Sequence, residues 1–144
     1  MTELVLDASV LLAWFEKETG SGAGPAAAML RCFQAGGLTV FVPPLALLEI
    51  VNVAGRKWRW SEDDLTALAV DLDQLGLELQ EPDLVRVVGW VARGLTAYDA
   101  AYVAVAEALG VPMVTADQRI LKIAAGVAIS TAEASPLVVQ APLD

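Results

Sequence analysis

Four carboxylates in this chain stand among apolar neighbours, where ordinary surface acids do not. Asp7 directly follows Leu4-Val5-Leu6, and Asp117 follows Met113-Val114-Thr115-Ala116. Glu49 lies inside Leu45-Ala46-Leu47-Leu48-Glu49-Ile50-Val51, and Asp99 opens the almost wholly apolar run Ala100 to Ala106. Gathered at one point, such acids need a cation. Two of them ~5 Å apart repel by roughly 3 kcal/mol at an effective dielectric near 20. The chain has no histidine and a single cysteine, Cys32. That removes Ser-His triads, His-ligated zinc and histidine bases together. An all-carboxylate set selects a hard, oxygen-loving ion, Mg²⁺ or Mn²⁺. Such an ion suits phosphoryl chemistry, where it activates water and offsets charge on an in-line displacement.

Each acid also has a plain structural reading. Asp7 can cap a helix beginning near Ser9, and Asp117 one running through Leu121. Asp99 lies three residues after Thr96, as the second half of a capping box. Glu49 can face water from a helix flank. By contrast, Glu62, Asp63, Asp64, Asp71 and Asp73 sit in polar company and read as a solvated face.

The elements that must position these acids alternate along the chain. Short apolar strands are expected at Leu4–Leu6, Thr39–Val42, Leu77–Leu79, Met113–Thr115 and Val127–Ile129. The first helix is expected from Ser9 to about Glu18. Gly20 to Pro25 reads as a loop by composition. A second helix runs to about Gln34, stopped by Gly36-Gly37. Pro43-Pro44 breaks a strand and opens a helix expected to reach about Trp60. Ser61 caps the next, with Leu65, Leu68, Ala69, Leu72 and Leu75 on one face. Pro82 opens another, with Leu84, Val87, Val88 and Val91 as its apolar positions, ending near Gly94. Thr96 caps Ala97–Leu109, which Gly110 and Pro112 end. A short helix follows Asp117 to about Ala125. The tail from Pro136 to Asp144 is apolar and carries two prolines. Strand–helix alternation predicts a parallel α/β sheet covered on both faces, in one domain spanning 1–144. Ligand sites in such folds lie beyond the carboxyl ends of the strands, where Asp7 and Asp117 stand.

Composition narrows the setting. Hydrophobic residues make up 56%, above the usual ~45–50%. Cys32 reads as a core residue in a reducing cytoplasm. Neither a signal peptide nor a membrane span is expected. Eighteen acids against nine Lys and Arg give a formal net charge of −9. That weighs against a broad phosphate-tracking surface, though not against a site where metal ions supply the positive charge.

Three segments resemble the PIN-domain nucleases, and among them the VapC-type toxins of toxin–antitoxin pairs. They are Leu4 to Leu11, Pro43 to Asn52, and Leu95 to Ala104 continuing through Gly110 to Asp117. The third is the most specific, and the similarity spans about residues 3–130. It implies a PIN-like three-layer sandwich with a five-stranded parallel sheet in the order 3-2-1-4-5. It implies that Asp7, Glu49, Asp99 and Asp117 form an acidic Mg²⁺ (or Mn²⁺) site, with Ser9, Asn52 and Thr115 supporting it. It further implies endonucleolytic cleavage of RNA, a VapB-type antitoxin that blocks the site, and a homodimer.

The basic cluster Arg56-Lys57-Trp58-Arg59-Trp60 holds the candidate RNA contacts Arg56, Lys57 and Arg59. Its tryptophans could stack on bases; the cluster also reads as a helix C-terminus whose cations offset the dipole, with the tryptophans packed on a neighbour or partner. Trp14-Phe15 and Met29-Leu30 read as core packing, with an apolar groove for a partner as the other reading. A phosphatase with a strand-1 nucleophile would want an acid at position 9, which is Ser. A receiver domain would want clustered acids at the first strand and a lysine near the last. The standing alternative to a nuclease is a PIN-fold interaction module.

Overall fold

Leu4, Val5 and Leu6 are fully buried in the central strand of a five-stranded, all-parallel sheet. A strand covered on both faces reads as a continuous apolar run rather than an alternating one, which is why three successive large residues fit here. The computed structural model describes residues 1–17 and 24–139. In chain order they form β1 (Thr2–Leu6), α1 (Ala8–Leu11), α2 (Pro25–Gln34), β2 (Leu38–Val42), α3 (Leu45–Arg56), α4 (Glu62–Gln74), β3 (Glu78–Leu79), α5 (Leu84–Ala92), α6 (Ala97–Leu109), β4 (Met113–Val114), α7 (Gln118–Ile123), β5 (Ala128–Ile129) and α8 (Thr131–Val139). The sheet order is β3-β2-β1-β4-β5, as expected. Val5 registers with Phe41 on one side and Met113 on the other.

Helix α6 packs close to the sheet because alanines alternate with larger residues along it. Ala100 through Ala106 are all buried. Thr96 caps its start by accepting from the Asp99 amide at 3.1 Å, and Gly110 ends it at φ 69°. The left-handed conformation at Gly110 suits a residue without Cβ. Cys32 is buried beside the Val138 carbonyl, as the core reading holds. Trp14 and Phe33 rings lie 5.4 Å apart, and Met29 is fully buried, so these early apolar residues serve packing.

Several elements depart from expectation. The first helix stops at Leu11 and tightens into a 3₁₀ turn at Leu12–Trp14. There the Trp14 indole donates to the Ala26 carbonyl at 2.9 Å, tying the turn to α2. The expected end at Glu18, the loop residues Gly20 to Ala23 and the tail beyond Val139 lie outside the described residues. Helix α3 ends at Arg56 instead of Trp60. Arg59 adopts φ 57°, and the Trp60 amide returns to the Ala54 carbonyl at 3.0 Å. In α4, Ala69 faces out while Leu68 and Leu72 are buried. Helix α5 buries only one of the apolar positions named from its spacing, Val87. Val87 and Trp90 are buried, whereas Leu84, Val88 and Val91 are exposed. Helix α8 crosses Pro136. Its start is a reciprocal capping box, Ser130 amide to Glu133 carboxylate and Glu133 amide to Ser130 hydroxyl, both at 3.1 Å. That Ser-x-x-Glu spacing was a readable signal.

Candidate active site

Asp7 ends β1 and caps α1 from an extended conformation, φ −80° and ψ 172°. Its amide donates to the Val114 carbonyl at 3.2 Å, which ties the β1 end to β4. The carboxylate is only 6% exposed. The Ser9 hydroxyl donates to Oδ1 at 2.5 Å and the Val10 amide to the same oxygen at 3.3 Å. The Thr115 hydroxyl donates to Oδ2 at 2.5 Å. Each hydroxyl in turn accepts from a backbone amide, Ser9 from Ala116 at 3.3 Å and Thr115 from Asp117 at 3.0 Å. With those amides obliged to donate, both hydroxyl protons point to Asp7. Two amide-to-hydroxyl-to-carboxylate relays thus fix the plane of this carboxyl group.

Glu49 stands half-buried in the second turn of α3, and its Oε1 accepts from the Tyr102 hydroxyl at 2.5 Å. Tyr102 lies three residues after Asp99 on α6, so the two share a helix face. Asp99 is half-buried in the first turn of α6, where the helix dipole favours an acid. The charge of Asp99 reaches both Asp7 and Glu49, and that of Asp7 reaches Glu49. Burial pushes the Asp7 carboxyl above the usual carboxylate range, its hydrogen bonds pull it back, and the charge of Asp99 adds to the rise. Glu49 is raised first by burial and then by Asp99 and Asp7, with the Tyr102 bond opposing. The Tyr102 phenol is raised far above its ordinary value, by burial and by the bond to Glu49, with a hydrogen bond from the Ala8 backbone in partial opposition.

Asp117 differs. It is exposed, and its Oδ1 accepts from the Arg119 and Ile120 amides at 2.8 and 3.2 Å as the cap of α7. It is not among the charges that raise Asp7 or Glu49. Its link to Asp7 runs through its own amide and the Thr115 hydroxyl. Asn52 is exposed one turn beyond Glu49, in an open groove of about 460 Å³ that also includes Leu48 and Val51. Arg56, Lys57 and Arg59 are exposed at and beyond the end of α3. The structure therefore brings Asp7, Glu49 and Asp99 together with Ser9 and Thr115, sets Asp117 at the margin, and leaves the basic residues further along α3. Tyr102 is the member that sequence reasoning missed, absorbed into the apolar run of α6. Its spacing from Asp99, with one phenol among alanines and valines, was the only available signal.

The model of the PIN domain matches residues 4–126. The chain belongs to the PIN-domain family. PIN domains are a nuclease-type fold. The crystal structure of PAE2754 from Pyrobaculum aerophilum is similar over 96% of this chain and 97% of that one, at 27% identity and a TM-score of 0.67. No curated protein matches this chain.

PIN domains generally use divalent metal ions, and the donor chemistry here fits that class. The gathered groups are carboxylate oxygens, and burial together with the charge of Asp99 disfavours the ionised forms of Asp7 and Glu49. Among the described residues, no three acidic or thiol side chains converge closely enough to hold one ion by themselves. Mg²⁺ characteristically keeps several waters and takes one or two direct carboxylates, so it does not require a closed protein cage.

Proposed function

We propose that this PIN domain is a Mg²⁺- or Mn²⁺-dependent endoribonuclease, the toxin of a VapC-type toxin–antitoxin pair. The observation that carries this reading is the buried Asp7 carboxylate, held by Ser9 and Thr115 at the carboxyl rim of a parallel sheet, with the charge of Asp99 reaching both it and Glu49. A buried carboxylate whose charge is disfavoured is costly in an idle fold, and pKa values perturbed this way mark functional sites. Asp7 and Asp99 would hold the ion, with Glu49 beside them and Asp117 acting from the margin. When bound, a divalent ion supplies an activated water and offsets charge on the phosphoryl group.

The chain's own residues prepare that chemistry. Ser9 and Thr115 lock the Asp7 carboxyl orientation through hydrogen bonds to opposite oxygens. Tyr102 occupies one Glu49 oxygen and leaves the other available. Ala100, Ala101 and Val103, which follow Asp99 on α6, are buried. Asn52, Arg56, Lys57 and Arg59 would meet RNA along α3.

Partners follow from the same reading. The RNA substrate and a VapB-type antitoxin would compete for the acidic rim in the cytoplasm. The exposed apolar face of α5, with Leu84 at 73%, Val85 at 79% and Val88 at 59% exposure, supports a homodimer. Among the described residues no helix is long and apolar enough to cross a membrane.

The test is cleavage of a mixed RNA pool by purified protein with Mg²⁺, with Mn²⁺ and with chelator, beside Asp99→Asn. Metal-dependent cleavage lost in the variant is the expected result. No cleavage with any metal, from folded and partner-free protein, would leave a PIN-fold interaction module.

A further inference from the structure

Beyond the acidic rim, one recess combines aromatic walls with positive charge. A cavity of about 350 Å³ is lined by Glu16, Lys17, Lys57, Trp58 and Trp60. The two tryptophan rings stand 5.4 Å apart and inclined at 39°, each half-buried against the core. Lys17 holds its ammonium 4.3 Å over the Trp60 ring and bonds Asp64 at 3.1 Å. The left-handed turn at Arg59 separates the two tryptophans in sequence yet leaves both on this wall. A non-glycine residue in that conformation is uncommon and persists where its surroundings hold it.

Charge makes the place distinctive. The chain has nine Lys and Arg in all. Four of them, Lys17, Arg56, Lys57 and Arg59, are on or beside this recess. Arg56, Lys57 and Arg59 form no ion pair among the described residues. Glu16 lines the recess and Lys17 is paired with Asp64, so the cations outside an ion pair that could meet an anion here are Lys57 and, beside it, Arg56 and Arg59. The recess is also aligned with the acidic rim. Glu49, Asn52 and Arg56 recur at i, i+3 and i+7 on α3, one helix face. Arg56 is therefore ~10.5 Å along the helix from Glu49, and Leu48, Glu49, Val51 and Asn52 of the same helix line an open groove.

We propose that this recess is a nucleotide subsite for single-stranded RNA. A base enters against Trp58, Lys57 meets an adjoining phosphate, and Arg56 guides the strand along α3 toward Asp7, Glu49 and Asp99. Trp58 is the stacking platform because Lys17 already covers a face of Trp60. Stacking of this kind tolerates any base, so the subsite sets register and affinity more than sequence. The proposal rests on the ribonuclease reading for its substrate class, but its test does not depend on turnover.

The experiment titrates short single-stranded RNA into the full chain carrying Asp99→Asn, in Mg²⁺, and follows tryptophan fluorescence and RNA anisotropy. Trp58→Leu should weaken binding about 5- to 150-fold, the scale of one lost stacked base. Trp58→Phe should retain most of the affinity and lose most of the quenching, which also controls for misfolding of the leucine variant. An abasic oligonucleotide of equal length should bind the parent more weakly and be indifferent to Trp58→Leu. Equal affinity for the base-bearing and abasic strands would overturn the subsite. So would an acidic peptide that displaces the RNA and loses its own affinity with Trp58→Leu. Wild-type protein that binds with Trp58-dependent quenching but cleaves nothing would defeat the nuclease reading alone. Unaltered binding by Trp58→Leu beside normal wild-type cleavage would defeat the subsite alone.

Discussion

The junctions β1→α1 and β4→α7 look alike in sequence, each an aspartate at the end of an apolar strand and the cap of the helix that follows. Their carboxylates live differently. Asp7 is almost fully buried, takes two hydroxyl hydrogen bonds at 2.5 Å and is pushed above the usual carboxylate range. Asp117 is exposed and accepts from two backbone amides of its own helix. Capping is the whole local role of Asp117, whereas at Asp7 it is a minor part of a larger arrangement. The difference comes from position in the sheet. β1 is central, flanked by β2 and β4, and Tyr102 meets the backbone of Ala8 just beyond its end. β4 lies one strand out, and its junction opens to solvent.

The sharpest way to break this comparison is the pair Asp7→Asn and Asp117→Asn. Asp7→Asn should lower RNA cleavage by at least about 10²–10³-fold, the scale of losing one preorganised electrostatic group. Asp117→Asn keeps a good cap and should lose on the order of tenfold, with an unchanged melting temperature. Equal losses in single-turnover cleavage would show that the margin position is not marginal.

The hydroxyl relays come next. Thr115→Val deprives a buried carboxylate oxygen of its donor and should reduce metal affinity or cleavage by about 10–100-fold, as outer-sphere partners commonly do. Ser9→Ala should lose less, because Val10 still donates to the same oxygen. Calorimetric titration with Mn²⁺ separates binding from turnover.

Stability against pH sharpens the contrast from another side. Asp7 and Glu49 are raised in the folded chain. A raised carboxyl favours folding while it is protonated, and that contribution fades as pH rises through the folded pKa. Metal-free protein should therefore gain stability as pH falls from neutral toward the ordinary carboxylate range. Asp7→Asn should melt higher than wild type at pH 7 and show a flatter profile. A wild-type profile that falls over that interval would contradict the burial argument. The smallest effect expected is Asp117→Ala, which removes the α7 cap and should cost about 1 kcal/mol in denaturant unfolding. Thr96→Ala should do likewise at α6.

The strand–helix alternation and seven of the eight helices were legible because each strand is a short apolar run and those helices have chemical punctuation at their ends, while the sheet order came from the family resemblance. Asp7, Glu49 and Asp99 stood out because ionisable groups in apolar company have few other uses. The face of α5 was not legible. Its apolar positions outnumber those the core can cover, and spacing alone does not choose between Val87–Trp90 and Leu84–Val88. Helix α8 was hidden by Pro136, although Ser130 and Glu133 announced its start.

The sequence by itself determined the alternating parallel α/β pattern, the oxygen-only donor chemistry and a set of four candidate acids, since these depend on residue type and local period. The tertiary structure decided the rest. It separated buried Asp7 from exposed Asp117, recruited Tyr102 to Glu49 across 53 residues of chain, and set Lys17 beside Trp58 and Trp60. Burial, electrostatic coupling and ring contact are properties of neighbours in space, and no local pattern encodes which distant residues those neighbours will be.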